Sequence, residues 1–191
     1  MAGNDDKTVQ ATADSGANEL KAILGNLLIA EADLTAEEIL LDALRGRGLT
    51  VATAESCTGG NIAHRITMIP GASDFYPGSV VSYSNEVKMN LLGVDAAVLE
   101  AYGAVSEPVA RQMADGARRA LGADCAVATS GIAGPSGGSP EKPVGTVCMA
   151  FATPEGTDTA TFHFPGDRAR VIDRASTTAM IELAKRIKGL Q

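Results

Sequence analysis

The sequence predicts an α/β protein: a three-layer α/β/α sandwich around a mixed, mostly parallel sheet. Two observations carry that prediction. Short apolar runs alternate with segments of helical periodicity, the pattern of strands covered by helices. Late in the chain, Pro154-Glu155-Gly156 separates two strand-like runs as a hairpin turn does. With 191 residues and 45% hydrophobic content, the chain is long enough to bury the core of one domain.

The elements follow in order. Residues 1–18 are small and polar, rich in Asp, Thr and Ser, and predict disorder. Leu20, Ile23, Leu24, Leu27 and Leu28 recur at helical spacing, so a short amphipathic helix is expected over 19–31, weakened by Gly25. A flexible leader over 1–33 and a folded domain over 34–190 are the resulting organisation. Thr35 and Glu38 make a capping box for a helix that buries Ile39, Leu40, Ala43 and Leu44 and stops at Gly46 and Gly48. A strand over about 49–54 precedes the run Ala54-Glu55-Ser56-Cys57-Thr58-Gly59-Gly60. A helix through Ile62, Ile66 and Ile69 follows and ends before Pro70-Gly71. Ser79–Tyr83 reads as the second strand. A helix over 85–92 comes next, with Ser84 as its cap and Gly93 as its stop. Ser106-Glu107-Pro108 is a helix start, with serine suited to the cap and proline to the first turn, and that helix runs to Leu121. Asp124–Thr129 is a nearly continuous apolar strand, the mark of a strand covered on both faces. It leads into the glycine-rich stretch from Ser130 to Gly138. Strands over about 144–153 and 157–164 and a last helix over 167–188 complete the chain.

Composition excludes several functions. Lys and Arg number 16 against 23 Asp and Glu, for a formal charge of −7, so the basic footprint of a nucleic-acid binder is missing. With no Trp and 4% aromatics, a base-stacking platform is not expected either. No apolar run approaches a membrane span and the N-terminus is no signal peptide. Cys57, Cys125 and Cys148 are odd in number without CxxC spacing, which fits a reducing compartment; the cytoplasm is the expected location. His64 and His163 stand apart, so neither a metal site nor a Ser-His-Asp triad is expected.

The chemistry lies at two glycine-rich turns. Ser56 falls where a strand hands over to a helix, and there a serine can be a cap, a phosphate contact or a nucleophile. As a nucleophile it needs a base other than histidine. Lys88, near the start of the 85–92 helix, becomes one if burial and the helix dipole lower its pKa; the alternative is an exposed helical lysine. Tyr83 could relay or orient a proton between Ser56 and Lys88. The glycine-rich stretch after Thr129 lets backbone amides approach an anion, with Ser130 and Ser136 as hydroxyl donors, or is a mobile surface loop. Arg168 could fork onto a phosphate or pair with Asp167 or Asp173.

Five segments, in order, resemble the CinA C-terminal domain family, the nicotinamide-nucleotide amidohydrolases. They are Ala54–Gly60, Val81–Lys88, Gly103–Val109, Ser130–Pro135 with Pro143–Val147, and Phe164–Arg168. The resemblance covers about residues 35–188. It implies a three-layer fold with a mixed sheet, a homodimer, no cofactor and no metal. It also implies deamidation of nicotinamide mononucleotide to nicotinic acid mononucleotide and ammonia, with Ser56 as nucleophile assisted by Lys88 and Tyr83. Substrate contacts are expected from Cys57, Thr58 and Gly59 at the first turn. At the second turn they fall on Thr129, Ser130, Gly131, Ile132 and Gly134, and Arg168 adds one more. Backbone amides around Cys57 and Thr58 would hold the oxyanion. Many relatives carry an extra N-terminal domain, and this chain looks like the stand-alone form. A catalytically silent nucleotide-binding module and a competence- or damage-associated accessory protein are the alternative functions.

Overall fold

The computed structural model describes residues 3–25, 28–30 and 32–190. A helix α1 (Gly3–Leu24) precedes α2 (Ala36–Arg47), β1 (Val51–Glu55), α3 (Asn61–Thr67), β2 (Gly78–Val81) and α4 (Asn85–Leu92). Then come α5 (Ala96–Tyr102), α6 (Glu107–Leu121), β3 (Cys125–Gly131), β4 (Thr146–Thr153), β5 (Gly156–His163) and α7 (Arg168–Lys188).

The sheet order is β2-β1-β3-β4-β5. β1 pairs in parallel with β2 and with β3, whereas β3–β4 and β4–β5 are antiparallel. Four of the five strands therefore run the same way and β4 runs against them. Because side chains alternate across a strand, the sheet presents two different faces. Val51, Val127, Met149 and Phe151 point into a core shared with α2, α3 and α7. Ala52, Ala54, Ala126, Ala128, Ala150 and Ala152 point into the other core, under α4, α5 and α6. The result is the expected α/β/α sandwich, with large side chains under one helical layer and methyl groups under the other.

Local signals behave as their chemistry requires in most places. Both halves of the Thr35–Glu38 capping box form, and Gly48 ends α2 in the left-handed region at φ 63. Ser84 caps α4, accepting the Val87 amide, and Gly93 (φ 69) ends it. Four expectations are corrected. In place of disorder over 1–18 and a helix over 19–31, one continuous helix, α1, covers both regions up to Leu24. The helix formers Ala11, Ala13, Ala17, Glu19, Leu20, Lys21 and Ala22 lie within it, and Gly25 (φ 50) ends it. Leu27, expected on the apolar stripe, lies outside the described residues. Ser106 occupies the cap position of α6 without a side-chain bond to the helix amides, and its hydroxyl donates to the Gly103 carbonyl at 2.8 Å. β2 stops at Val81, so Ser82 and Tyr83 leave the strand. Finally, α5 was not anticipated; the Asp95 carboxylate starts it by accepting the Ala97 amide at 2.8 Å.

The order of strands also fixes where a site can form. The connection leaving β1 passes through α3 to β2 on one side, while β3 lies on the other side of β1. In open α/β sheets the crevice at the carboxyl ends of two such strands is where ligands bind.

Candidate active site

Glu55 is the last residue of β1, and Ser56 follows it with its amide donating to the Thr129 carbonyl at 3.0 Å. The chain then turns through Gly59 (φ 63) and Gly60 (φ 96), a backbone path that side chains rarely allow. What holds this turn is Glu55. Its side chain is fully buried, yet its carboxylate accepts three amides from the start of α3: Gly60 at 3.0 Å, Ile62 at 3.1 Å and Ala63 at 2.8 Å. An anion is well placed at the positive end of a helix, and charge-assisted bonds offset its burial. Among the described residues no backbone carbonyl takes the Cys57 or Thr58 amide.

Lys88 meets this turn from α4. It is among the largest fully buried side chains, 1% exposed. Its Nζ donates to the Ser82 carbonyl at 2.6 Å and lies 3.1 Å from Ser56 Oγ. Loss of water holds its pKa below the ordinary lysine value, and the one opposing influence is negative charge on Cys57. That charge does not develop near neutral pH, because burial pushes the Cys57 thiol up to about 12. The shift favours the neutral amine, the form that has a lone pair to offer. A neutral amine that donates to Ser82 can still accept the Ser56 hydroxyl proton. The same burial keeps Cys57 a thiol, and so not a rival nucleophile.

A cleft of about 190 Å³ opens beside this pair. Of the expected residues, Ser56, Cys57, Tyr83, Lys88, Ser130, Gly131 and Arg168 line it. Thr58, Gly59, Thr129, Ile132 and Gly134 do not. The Thr58 and Thr129 hydroxyls are buried and bond each other at 2.8 Å, so they brace the turn against β3 and face no substrate. Gly59 stands on the exposed outside of the turn. The Ile132 amide and carbonyl are taken up by Thr146 and Gly145. Gly134 contributes its carbonyl as an acceptor for Arg168 Nη1 at 3.0 Å.

Tyr83 corrects the proton-relay expectation. Its ring is 64% exposed and its hydroxyl accepts from Arg168 Nη2 at 3.1 Å. Among the described residues it makes no hydrogen bond to Ser56 or Lys88. Because β2 ends two residues before Tyr83, the chain turns outward and carries the ring to the mouth of the cleft. Arg168, the first residue of α7, is held there between Tyr83 and Gly134. Its guanidinium faces the cleft rather than pairing with Asp167, whose carboxylate caps α7 on the Arg170 amide.

Asn85, Ala104, Val105 and Ala133 also line the cleft and were not anticipated. The Ala104–Val105 wall follows the end of α5 and belongs to no helix or strand that would satisfy its carbonyls. Side chains do so instead: Ser130 Oγ donates to Ala104 at 2.6 Å, and Lys142 Nζ donates to Tyr102 at 3.0 Å and Val105 at 2.7 Å. The glycine-rich stretch thus ties one wall of the cleft. Gly131 is obligatory within it, since a Cβ there would meet the Thr146 carbonyl oxygen at 2.7 Å. No group of three or more His, Cys, Asp or Glu side chains among the described residues is placed to hold a metal ion.

Fold and site together define an α/β protein whose polar cleft sits at the carboxyl ends of parallel strands, with a serine hydroxyl against a buried amine. More narrowly, the chain belongs to the CinA C-terminal domain family, whose model matches residues 33–187. It is 50% identical over 167 residues to a CinA-like protein of Mycobacterium tuberculosis, an overlap of 87% of this chain and 38% of that protein. A CinA-like protein of Chlorobaculum tepidum is 48% identical over 172 residues, covering 87% and 41%. The chain thus spans about two fifths of the length of these relatives. The crystal structure of the competence damage-inducible protein A from Klebsiella pneumoniae superposes with a TM-score of 0.78 at 37% identity, covering 83% of this chain and all of that one. A competence/damage inducible protein from Agrobacterium tumefaciens gives 0.75 at 40% identity, covering 80% and 93%.

Proposed function

We propose that this protein hydrolyses the carboxamide of a nicotinamide nucleotide, converting nicotinamide mononucleotide to nicotinic acid mononucleotide and ammonia. The observation that carries the reading is the 3.1 Å approach of the buried Lys88 amine to Ser56 Oγ, a nucleophile and base within hydrogen-bond reach. Neutral Lys88 takes the Ser56 proton as Oγ attacks the carboxamide carbon. The tetrahedral oxyanion is received by the amide of Cys57, the residue of this turn next to Ser56 that lines the cleft. Collapse breaks the C–N bond, Lys88 returns the proton to the leaving nitrogen, and ammonia departs from an acyl-serine. Water, deprotonated by Lys88, then attacks the ester. Nicotinic acid mononucleotide is released as the ester bond breaks, and the proton passes back to Ser56.

The cleft supports this substrate class by its size and its mouth. About 190 Å³ is less than the roughly 300 Å³ of a site that encloses a whole drug-sized ligand, so it takes the amide-bearing ring and leaves the rest outside. Arg168 at the mouth supplies the cation that an emerging phosphate needs. The start of α3 cannot serve that purpose, since the Glu55 carboxylate already occupies its amides.

Ammonia release from nicotinamide mononucleotide, measured with the purified protein, tests the reading. The wild type turns over, and Ser56→Ala loses at least about 10³-fold in kcat. Full turnover by Ser56→Ala places the nucleophile elsewhere.

A further inference from the structure

We propose that Glu55 is a positioning residue for both halves of the Ser56–Lys88 pair, its buried carboxylate locking the Ser56–Gly60 turn and its carbonyl locking the segment that holds Lys88. The proposal rests on the reading of Ser56 as nucleophile and Lys88 as base.

Two sets of bonds converge on this one residue. Through its side chain, Glu55 takes the amides of Gly60, Ile62 and Ala63, closing a loop from the end of β1 to the start of α3 with Ser56 inside it. Through its main chain, the Glu55 carbonyl accepts the Ser82 amide at 2.8 Å, and the Ser82 carbonyl accepts Lys88 Nζ at 2.6 Å. A shift of Glu55 therefore moves the nucleophile and the base together. An ordinary helix start is capped by the residue just before it. In α3 that residue is Gly60, which has no side chain to offer, and the cap comes instead from the strand five positions back. Behind the carboxylate stands a hydroxyl cluster that fixes its second oxygen. Thr53 Oγ lies 3.3 Å from Oε1 and is itself 2.8 Å from the Tyr76 hydroxyl and 2.7 Å from Ser79 Oγ.

A buried ionised carboxylate is expensive unless every lone pair is used. A neutral amide of the same size fits the space but cannot accept on both sides, because its NH2 would face either the Ala63 amide or the Gly60 and Ile62 pair. Glu55→Gln thus loosens the turn without opening a cavity. Displacements on the order of 1 Å at a reacting group cost about a hundredfold in rate, so even a partial shift is measurable.

The test measures two independent readouts on Glu55→Gln, Glu55→Asp and wild type. One is kcat and KM for nicotinamide mononucleotide. The other is the rate at which phenylmethanesulfonyl fluoride modifies Ser56, followed by intact mass. For Glu55→Gln we expect a cooperative melt, kcat and labelling rate both down at least tenfold, and KM within twofold of wild type. Glu55→Asp, which keeps the charge, recovers part of the loss. A capping role alone would lower the melting temperature and leave the labelling rate of the folded protein unchanged, and that result overturns the proposal. If Glu55→Gln does not fold, Gly60→Ala decides, because it strains one of the three amide contacts and spares the carboxylate. Labelling slowed at least threefold supports the proposal, and labelling at the wild-type rate overturns it. A wild type that is labelled but does not hydrolyse the nucleotide removes the substrate reading and leaves the labelling comparison decisive. A wild type that does neither removes Ser56 as nucleophile, and the role of Glu55 with it.

Discussion

At position 88 the chain buries a lysine side chain whose amine reaches the edge of the cleft, with the Ser82 carbonyl and the Ser56 hydroxyl as its partners. Burial lowers its pKa in the folded state, while the unfolded chain keeps an ordinary lysine near 10.4. Between those two values the unfolded state binds the extra proton, so folding stability rises with pH across that window. If Lys88 is the base proposed above, activity is expected to rise with pH as well, because only the neutral amine can take the serine proton. Lys88→Met, similar in shape and without the charge, is expected to abolish deamidation and to raise the melting temperature at pH 7 by at least about 2 °C. It should also flatten the alkaline rise in stability. Thermal melts across pH 6–10, wild type beside variant, check both statements. Ser56 and Lys88 stood out in the sequence as a serine at a strand-to-helix turn and a lysine near a helix start, but spacing left other uses open for each, and only the family resemblance paired two residues 32 positions apart. Glu55 was not. A glutamate at the end of an apolar run gives no sign that its side chain folds forward onto amides five to eight residues ahead. Tyr83 was misread for a simpler reason: the ladder to β1 ends two residues before it.

Elements whose ends are marked by side-chain chemistry were readable, and those set by tertiary contact were not. The capping box of α2 and the Ser84 and Gly93 boundaries of α4 depend on residues three or four apart, so sequence alone carries them. The contact between α4 and α6 depends on Gly116, which no local rule singles out. An added Cβ there would stand 2.0 Å from the Leu92 carbonyl oxygen. By propensity alone, Gly116→Ala in a helix interior gains about 1 kcal/mol. The clash is with backbone and cannot be relieved by a rotamer, so we expect net destabilisation of about 1–3 kcal/mol, read as a lower urea midpoint. A midpoint above wild type would mean that α4 does not pack this closely on α6. Ser106 shows the converse limit. Its sequence context is that of a cap, but its hydroxyl is turned to the Gly103 carbonyl and no helix amide bonds to it.

For the molecule as a whole, the alternation of strands and helices gave the three layers, but not which helices share a face. That assignment follows from side-chain size in the sheet. Valine, methionine and phenylalanine hold off α2, α3 and α7, whereas six alanines let α6 come close. α1 stands outside this arrangement: its side chains from Asp6 to Leu24 are exposed apart from the half-buried Lys21. The chain rejoins the core at Ile29 and Ala30, which pack on the first cluster, and Lys188 Nζ donates to the Ile29 carbonyl at 3.1 Å. Removing residues 1–25 is therefore expected to leave the melting temperature within about 2 °C and turnover unchanged, measured by calorimetry and ammonia release. A larger drop in melting temperature would assign α1 a packing role.

The hydrogen bond from Arg168 to Tyr83 joins positions 85 apart, and it has a consequence for the nascent chain. Ser56 and Lys88 leave the ribosome early, yet β1 is an inner strand, and one of its two neighbours, β3, is made much later. Until β3 is made, β1 has only β2 to pair with, and the crevice beside Ser56 is open on that side. A half-made chain carries Ser56 and Lys88 without the walls that Ser130, Gly131 and Arg168 give their cleft. The cleft is closed off only when the last helix has delivered Arg168.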